Sequence, residues 1–259
     1  MTAAAAFDLT GRVALVTGGG THLGLAMAEA LAAQGARVII GGRRVDVIDE
    51  AAAALRAQGL DCEAVPLDVT DPGLVARVVE EAGPLDIAVC NAGANAEQAF
   101  PPDTDLDVFR ATLESHLVGT LTTANAAARQ MVARGRGSII TVSSVHGFLA
   151  ADPRLYAGLD MPKRSSVAYQ SAKAAIIGLT KNLAAELGRS GVRVNCISPG
   201  HVPKDSAAPG FAERLVEGNA LGILGQADDM KGAVVLLASD AGRFITGHNL
   251  VVDGGWSIW

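Results

Sequence analysis

Residues 13–24 read VALVTGGGTHLG, a β-branched apolar run that ends in three successive glycines before a stretch of helical period begins at Leu23. Glycines at such a junction let the backbone turn tightly and come close to a bound pyrophosphate, whose charge is favoured at a helix N-terminus. Any tight strand-to-helix turn wants glycine, so the cluster alone carries little. Its place gives it meaning, because it closes the first strand of what reads as a βαβ unit.

The same alternation continues outward from this turn. Apolar strand candidates occupy 13–16, 37–40, 62–65, 87–90, 138–142, 193–197 and 250–252, with helical stretches at 23–34, 45–58, 74–82, 106–133, 167–188 and 230–239. Continuous apolar strands separated by helices predict a parallel sheet covered on both faces, the doubly wound α/β arrangement. Ligands in such sheets bind at the carboxyl ends of the strands, where the strand order reverses. Functional residues are therefore expected just after strands. Two stretches break the rhythm, 147–166 and 199–225, and loops of that length in a compact domain usually serve as lids or binding loops.

Bulk properties narrow the function classes. The chain has 259 residues, 49% apolar and 19% charged, which suits one α/β domain spanning 1–259. A net charge of −6 argues against a nucleic-acid footprint. No apolar run is long enough to cross a bilayer, and the first residues lack the basic region of a signal peptide. Cys62, Cys90 and Cys196 form no CxxC pair and read as buried thiols, so a reducing cytoplasm is expected. The five histidines form no HxH or HxxxH pair, and no metal site is expected.

The second strand candidate is followed by Gly41, Gly42, Arg43 and Arg44. NAD binding usually needs an acidic residue near this point, whereas an arginine accommodates the 2′-phosphate of NADP. No carboxylate appears before Asp46, so Arg43 favours NADP(H), with NAD(H) still possible. Farther on, Tyr169 and Lys173 share one face of a helical stretch at i,i+4 spacing. A free tyrosine is a poor acid–base catalyst at neutral pH, and a cation one turn away would lower its pKa.

Thr17-Gly18, Asp68-Val69, Asn91-Ala92-Gly93, Ser143-Ser144, Tyr169-x-x-x-Lys173, Pro199-Gly200 and Asp253-Gly254-Gly255 occur in one order over almost the whole chain. Together they resemble the short-chain dehydrogenase/reductase family. The resemblance implies a single doubly wound Rossmann domain with a mostly parallel sheet of about seven strands. It implies an NAD(P)-dependent oxidoreductase acting on CH–OH groups. Tyr169 would be the general acid and base, Lys173 its pKa-lowering partner on the nicotinamide ribose, and Ser144 the donor to the substrate oxygen. Gly18, Gly20, His22, Leu23 and Gly24 would hold the pyrophosphate. Asp68 and Val69 would border the adenine, and Asn91, Ala92 and Gly93 would line the cofactor. Pro199, Gly200 and Val202 would approach the nicotinamide. Relatives pair through the helix that carries the tyrosine and through the C-terminal segment, so a homodimer or homotetramer is implied, with 256–259 buried against a partner.

The family pattern is broken in places. His22 replaces a glycine, and histidine tolerates positive φ better than most residues. His116 replaces the asparagine that continues the proton relay, and a near-neutral pKa would suit it to that task. Lys204 stands where a threonine is common, leaving Asp205 or Ser206 as partners of the nicotinamide amide. The interval from Ser144 to Tyr169 is about a dozen residues longer than usual, with the excess at about 150–166. Its mixed charges suggest a polar, hydroxylated substrate, alongside a substrate loop at 201–225. His146 and His201 flank catalytic positions and are expected to touch substrate.

Three functions remain open on the sequence. The first is an NADP(H)-dependent dehydrogenase of a sugar or polyol. The second is a ketone or 3-oxoacyl reductase. The third is a catalytically decayed nucleotide-binding protein with a regulatory or structural role. Fold-level resemblance does not choose the substrate.

Overall fold

The computed structural model describes residues 2–94, 101–159, 166–203 and 209–259. Seven strands form one sheet: β1 (Val13–Thr17), β2 (Arg37–Gly42), β3 (Cys62–Pro66), β4 (Ile87–Cys90), β5 (Gly137–Val142), β6 (Val192–Pro199) and β7 (Asn249–Val252). The order is β3-β2-β1-β4-β5-β6-β7, and every pairing is parallel. Strand order reverses between β1 and β4, which places the expected crevice over their carboxyl ends.

Alternation along each strand explains why the strands read as unbroken apolar runs. Val16, Val38, Ile40 and Ile140 pack on one side with Met27 and Leu31 of α1 (His22–Ala33), Ile48 of α2 (Val45–Ala57) and Val234 of α8 (Met230–Ala238). Leu15, Ile39 and Ile139 pack on the other with Val75 of α3 (Pro72–Glu81) and Met131 of α5 (Gly119–Arg134). Ile140 has no exposed surface. Ile140→Ala should therefore cost about 2–5 kcal/mol, read as a lower urea midpoint. A midpoint unchanged from wild type would contradict this packing.

The three cysteines are buried and free, and burial pushes the Cys90 thiol up to about 12. Among the described residues, no helix is long and apolar enough to cross a membrane.

The helix expected over 106–133 is not continuous. It divides into α4 (Leu106–Leu113), a π-helical turn (Glu114–Val118) and α5. Such turns insert one extra residue and often mark functional positions. Here the Thr120 hydroxyl donates to the His116 carbonyl at 2.6 Å.

The two long irregular stretches meet. A 3₁₀ turn, Pro153–Tyr156, lies in the inserted segment, and α7 (Pro209–Gly218) lies in the stretch expected to be loop. Arg214 of α7 donates to the carbonyls of Arg154 and Leu155 at 3.2 and 2.9 Å, and the Tyr156 and Phe211 rings lie 5.3 Å apart. Asp160, Lys163, Arg164, Lys204, Asp205 and Ser206 lie outside the described residues.

Candidate active site

The glycine turn after β1 is built by close approach. Gly18 has φ +65°, and a Cβ added at Gly24 would lie 2.1 Å from the Gly18 carbonyl oxygen. His22 takes the left-handed conformation expected of a glycine, with φ +52°. The turn is stapled to β4 by two side chains. Asn91 Nδ2 donates to the carbonyls of Thr17 and Gly18 at 3.1 and 3.2 Å. Thr17 Oγ1 accepts from the amides of Asn91 and Ala92, both at 3.1 Å.

A cavity of about 360 Å³ opens above this junction. Gly18, Gly20, His22, Leu23 and Gly24 line its floor, and Asn91, Ala92 and Gly93 line one side. The side chain of Thr21 does not cap α1, so the first amides of that helix are not closed by it. Arg43, Arg44, Asp68 and Val69 complete the wall. Asp68 accepts from the Thr70 amide and hydroxyl at 3.0 and 2.8 Å; these bonds, with Arg43, hold its carboxyl below the usual range. Glycine backbone, open helix amides and paired arginines together fit a phosphorylated dinucleotide.

The proton-handling residues stand after β5, on the helix that follows and in the π-helical turn. Ser144 follows β5 in extended conformation, and its Oγ accepts from the His146 amide at 3.2 Å. Close contact locks this turn to α6 (Val167–Leu187), because a Cβ at Gly147 would lie 2.9 Å from the Lys173 carbonyl oxygen. Ser143 Oγ in turn donates to the Lys173 carbonyl at 2.7 Å. The N-cap of α6 is Ser166, which accepts from the Tyr169 amide at 3.2 Å. Tyr169 and Ser144 share a side-chain hydrogen bond.

Charge in the site departs from the sequence expectation. Burial pushes the Tyr169 phenol up, and the bond to Ser144 opposes that rise. The Lys173 ammonium does not set this direction: it lies 5.5 Å from the centre of the Tyr169 ring and donates to the Val142 carbonyl at 2.9 Å. Burial pushes Lys173 down to about 8. His116 is likewise corrected. Burial and the Lys173 charge push it to about 3, so its imidazole is neutral at physiological pH. Its ring packs on Gly93, where a Cβ would lie 2.1 Å from Nδ1, and meets Tyr169 edge-on at 5.3 Å.

Pro199 ends β6, and the Gly200 amide donates to the Val252 carbonyl at 2.8 Å. Val202 follows beside Gly225. His146 and His201, separate in sequence, face one another at 5.2 Å, and His201 meets Trp256 at 4.4 Å. Trp256 packs within its own chain, also against Gly218 of α7. Trp259 remains 77% exposed. Arg44, Thr70 and Ser115 join the cavity without having been marked by any motif. Among the described residues, no group of three or more His, Cys, Asp or Glu is placed to hold a metal ion.

A family model described as enoyl-(acyl carrier protein) reductase matches residues 20–257. The chain belongs to the short-chain dehydrogenase/reductase family. It is an oxidoreductase of the kind that acts on alcohol groups. Momilactone A synthase of Oryza sativa subsp. japonica is 37% identical over 96% of this chain and 91% of its own. Gluconate 5-dehydrogenase of Gluconobacter oxydans (strain 621H) is 32% identical over 97% of both. The crystal structure of a gluconate 5-dehydrogenase from Burkholderia cenocepacia J2315, in complex with NADP and tartrate, covers all of this dehydrogenase at 31% identity with a TM-score of 0.89. The two chains cover each other fully.

Proposed function

We propose that this dehydrogenase transfers a hydride between NADP(H) and the carbinol or carbonyl carbon of a small polar substrate, a sugar or polyol. One observation carries the reading: a phosphate cradle is walled by Arg43 and Arg44, and Tyr169, bonded to a buried Ser144, stands one helical turn from a buried Lys173. The NADP complex of the Burkholderia enzyme supports the cofactor class.

Gly18, Gly20, His22, Leu23 and Gly24 hold the pyrophosphate, Arg43 the 2′-phosphate, and Asp68 and Val69 the adenine edge. Asn91, Ala92 and Gly93 line the cofactor, and Pro199, Gly200 and Val202 stand beside the nicotinamide. The bound dinucleotide supplies or accepts the hydride. Ser144 Oγ donates to the substrate oxygen, and Tyr169 Oη gives up its proton in reduction and accepts one in oxidation. Lys173 keeps positive charge beside the phenol. Neutral His116 acts as a donor and acceptor next to Tyr169 and does not carry charge itself. His146 and His201 touch the substrate.

The inserted segment docks onto α7 of its own chain, which favours a substrate-side role over one confined to assembly. The intact Ser144, Tyr169 and Lys173 weigh against a decayed enzyme. Val118, Val132 and Val167 are 38–40% exposed around the helix pair of α5 and α6. This suits assembly as a homodimer or homotetramer, and the buried thiols suit the cytoplasm.

Initial rates of nicotinamide absorbance with sugars, polyols, hydroxy acids and ketones, each with NADP and NAD, test the proposal. Selective turnover of a sugar or polyol with NADP is expected; activity confined to ketones or oxoacyl groups would replace it with the reductase reading. The pH profile is a second check. Because burial raises Tyr169, the phenolate that oxidation needs grows with pH, so kcat for oxidation should climb from about pH 7 towards pH 10. A profile that is flat over that range would remove Tyr169 as the base.

A further inference from the structure

His146 and His201 pair at the substrate end of the site, one from the turn after β5 and the other from the turn after β6. The same turn fixes His146 and Ser144, through the bond from the His146 amide to Ser144 Oγ. The His146 ring lies 6.5 Å from the Tyr169 ring and 5.2 Å from His201, almost perpendicular to it. Beyond His201 stands Trp256. Four elements thus bring a phenol, two imidazoles and an indole into one row.

Three ring nitrogens of the pair, His146 Nδ1 and both of His201, are buried without a hydrogen-bond partner among the described residues. Leaving such atoms unpaired is costly, so the site is built to have them satisfied. Their charge state says by what. Burial pushes both rings down, at His146 against a backbone hydrogen bond with Leu149 and at His201 to about 4 with help from His146, so both are neutral at pH 7. A neutral imidazole offers one N–H and one lone pair. A hydroxyl, which both accepts and donates, can take the N–H of one ring and meet the lone pair of the other. A carboxylate accepts only. Lys173 is already bonded to Val142, and the carboxylate felt by His201, Asp253, accepts from the amides of Gly255 and Ser257.

We propose that His146 and His201 are specificity-determining residues that bind a substrate hydroxyl on the carbon next to the one oxidised, with Trp256 covering the carbon chain. The inference rests on the dehydrogenase reading above. It narrows the substrate to neutral vicinal diols and polyols, in preference to lone alcohols and to hydroxy acids.

Three probes sharing one ring test it: cyclohexanol, vicinal cyclohexanediol and vicinal hydroxycyclohexanecarboxylate, each with NADP and with NAD. The wild-type enzyme should prefer the diol to cyclohexanol by about tenfold in kcat/KM, mostly through KM. In His201→Phe that ratio should collapse towards one, and His201→Asn, which keeps a donor and an acceptor, should restore part of it. Cofactor binding by fluorescence reports whether each variant is folded. A diol preference unchanged in His201→Phe and in His146→Phe would overturn the inference. So would a wild-type preference for the carboxylate probe that His201→Phe removes, because the pair would then be an anion site. Reduction of neither cofactor by any of the three probes or by any sugar or polyol of the panel above would defeat the dehydrogenase reading, and this inference with it.

Discussion

Tyr169→Phe is expected to abolish turnover while leaving NADP(H) affinity close to wild type. The substitution removes one oxygen from a ring that packs edge-on against His116 and His146, so the shape of the site survives. General acid–base catalysis contributes about 10²–10⁴-fold, and no neighbour can take it over. Lys173 is turned to the Val142 carbonyl, and His116 is held neutral with a pKa of about 3. Ser144 can polarise the substrate oxygen but is too weak an acid to protonate it at neutral pH. Steady-state rates and cofactor fluorescence titrations separate the two effects. Retained turnover would end the proposed role, and equal loss of cofactor affinity would make the residue structural.

Arg43→Ala should weaken NADPH far more than NADH. Arg43 lines the cradle at the end of β2, where a carboxylate would stand in an enzyme built to hold ribose hydroxyls. A hydrogen bond to a charged group contributes about 1.5–3 kcal/mol, so a loss of about ten- to hundredfold in NADPH affinity is expected. Arg44 stands beside it and keeps the loss towards the lower end of that range. An equal change for both cofactors would show that Arg43 does not read the 2′-phosphate.

Much of this fold is legible in the sequence because both faces of the sheet are covered. Val38, Ile39 and Ile40 pack alternately into opposite cores, so no polar residue interrupts them and the run stands out. The strand ends shift by a residue or two, as at β2, which continues through Gly41 and Gly42 into the cofactor crevice. The π-turn at Glu114–Val118 is not legible, since one extra residue barely disturbs the apolar period of the helices around it. Nor is α7, whose bounding residues Pro209 and Gly218 read as loop while Phe211 and Leu215 keep helical spacing.

The site divides in the same way. Gly18, Asn91, Ser144, Tyr169 and Lys173 announce themselves through local motifs; Gly18 and Asn91 line the cavity, while Ser144, Tyr169 and Lys173 cluster where the turn after β5 meets α6. His116 is found by its place in a pattern, but its charge state is not, because burial and Lys173 act on it across the fold. The pairing of His146 with His201 and Trp256 joins three separate stretches, so no spacing rule reveals it. Trp256 packs against Gly218 and His201 of its own chain, contacts that no local pattern at residues 256–259 reveals.

The central claim is hydride transfer from a carbinol carbon to NADP. Its most direct test is to oxidise vicinal cyclohexanediol deuterated at its carbinol carbons and to follow the label by NMR. The account predicts deuterium at the reactive carbon of the nicotinamide ring, in step with NADPH formed and with none lost to water. Reduced cofactor without the label, or product formed without reduced cofactor, would contradict it.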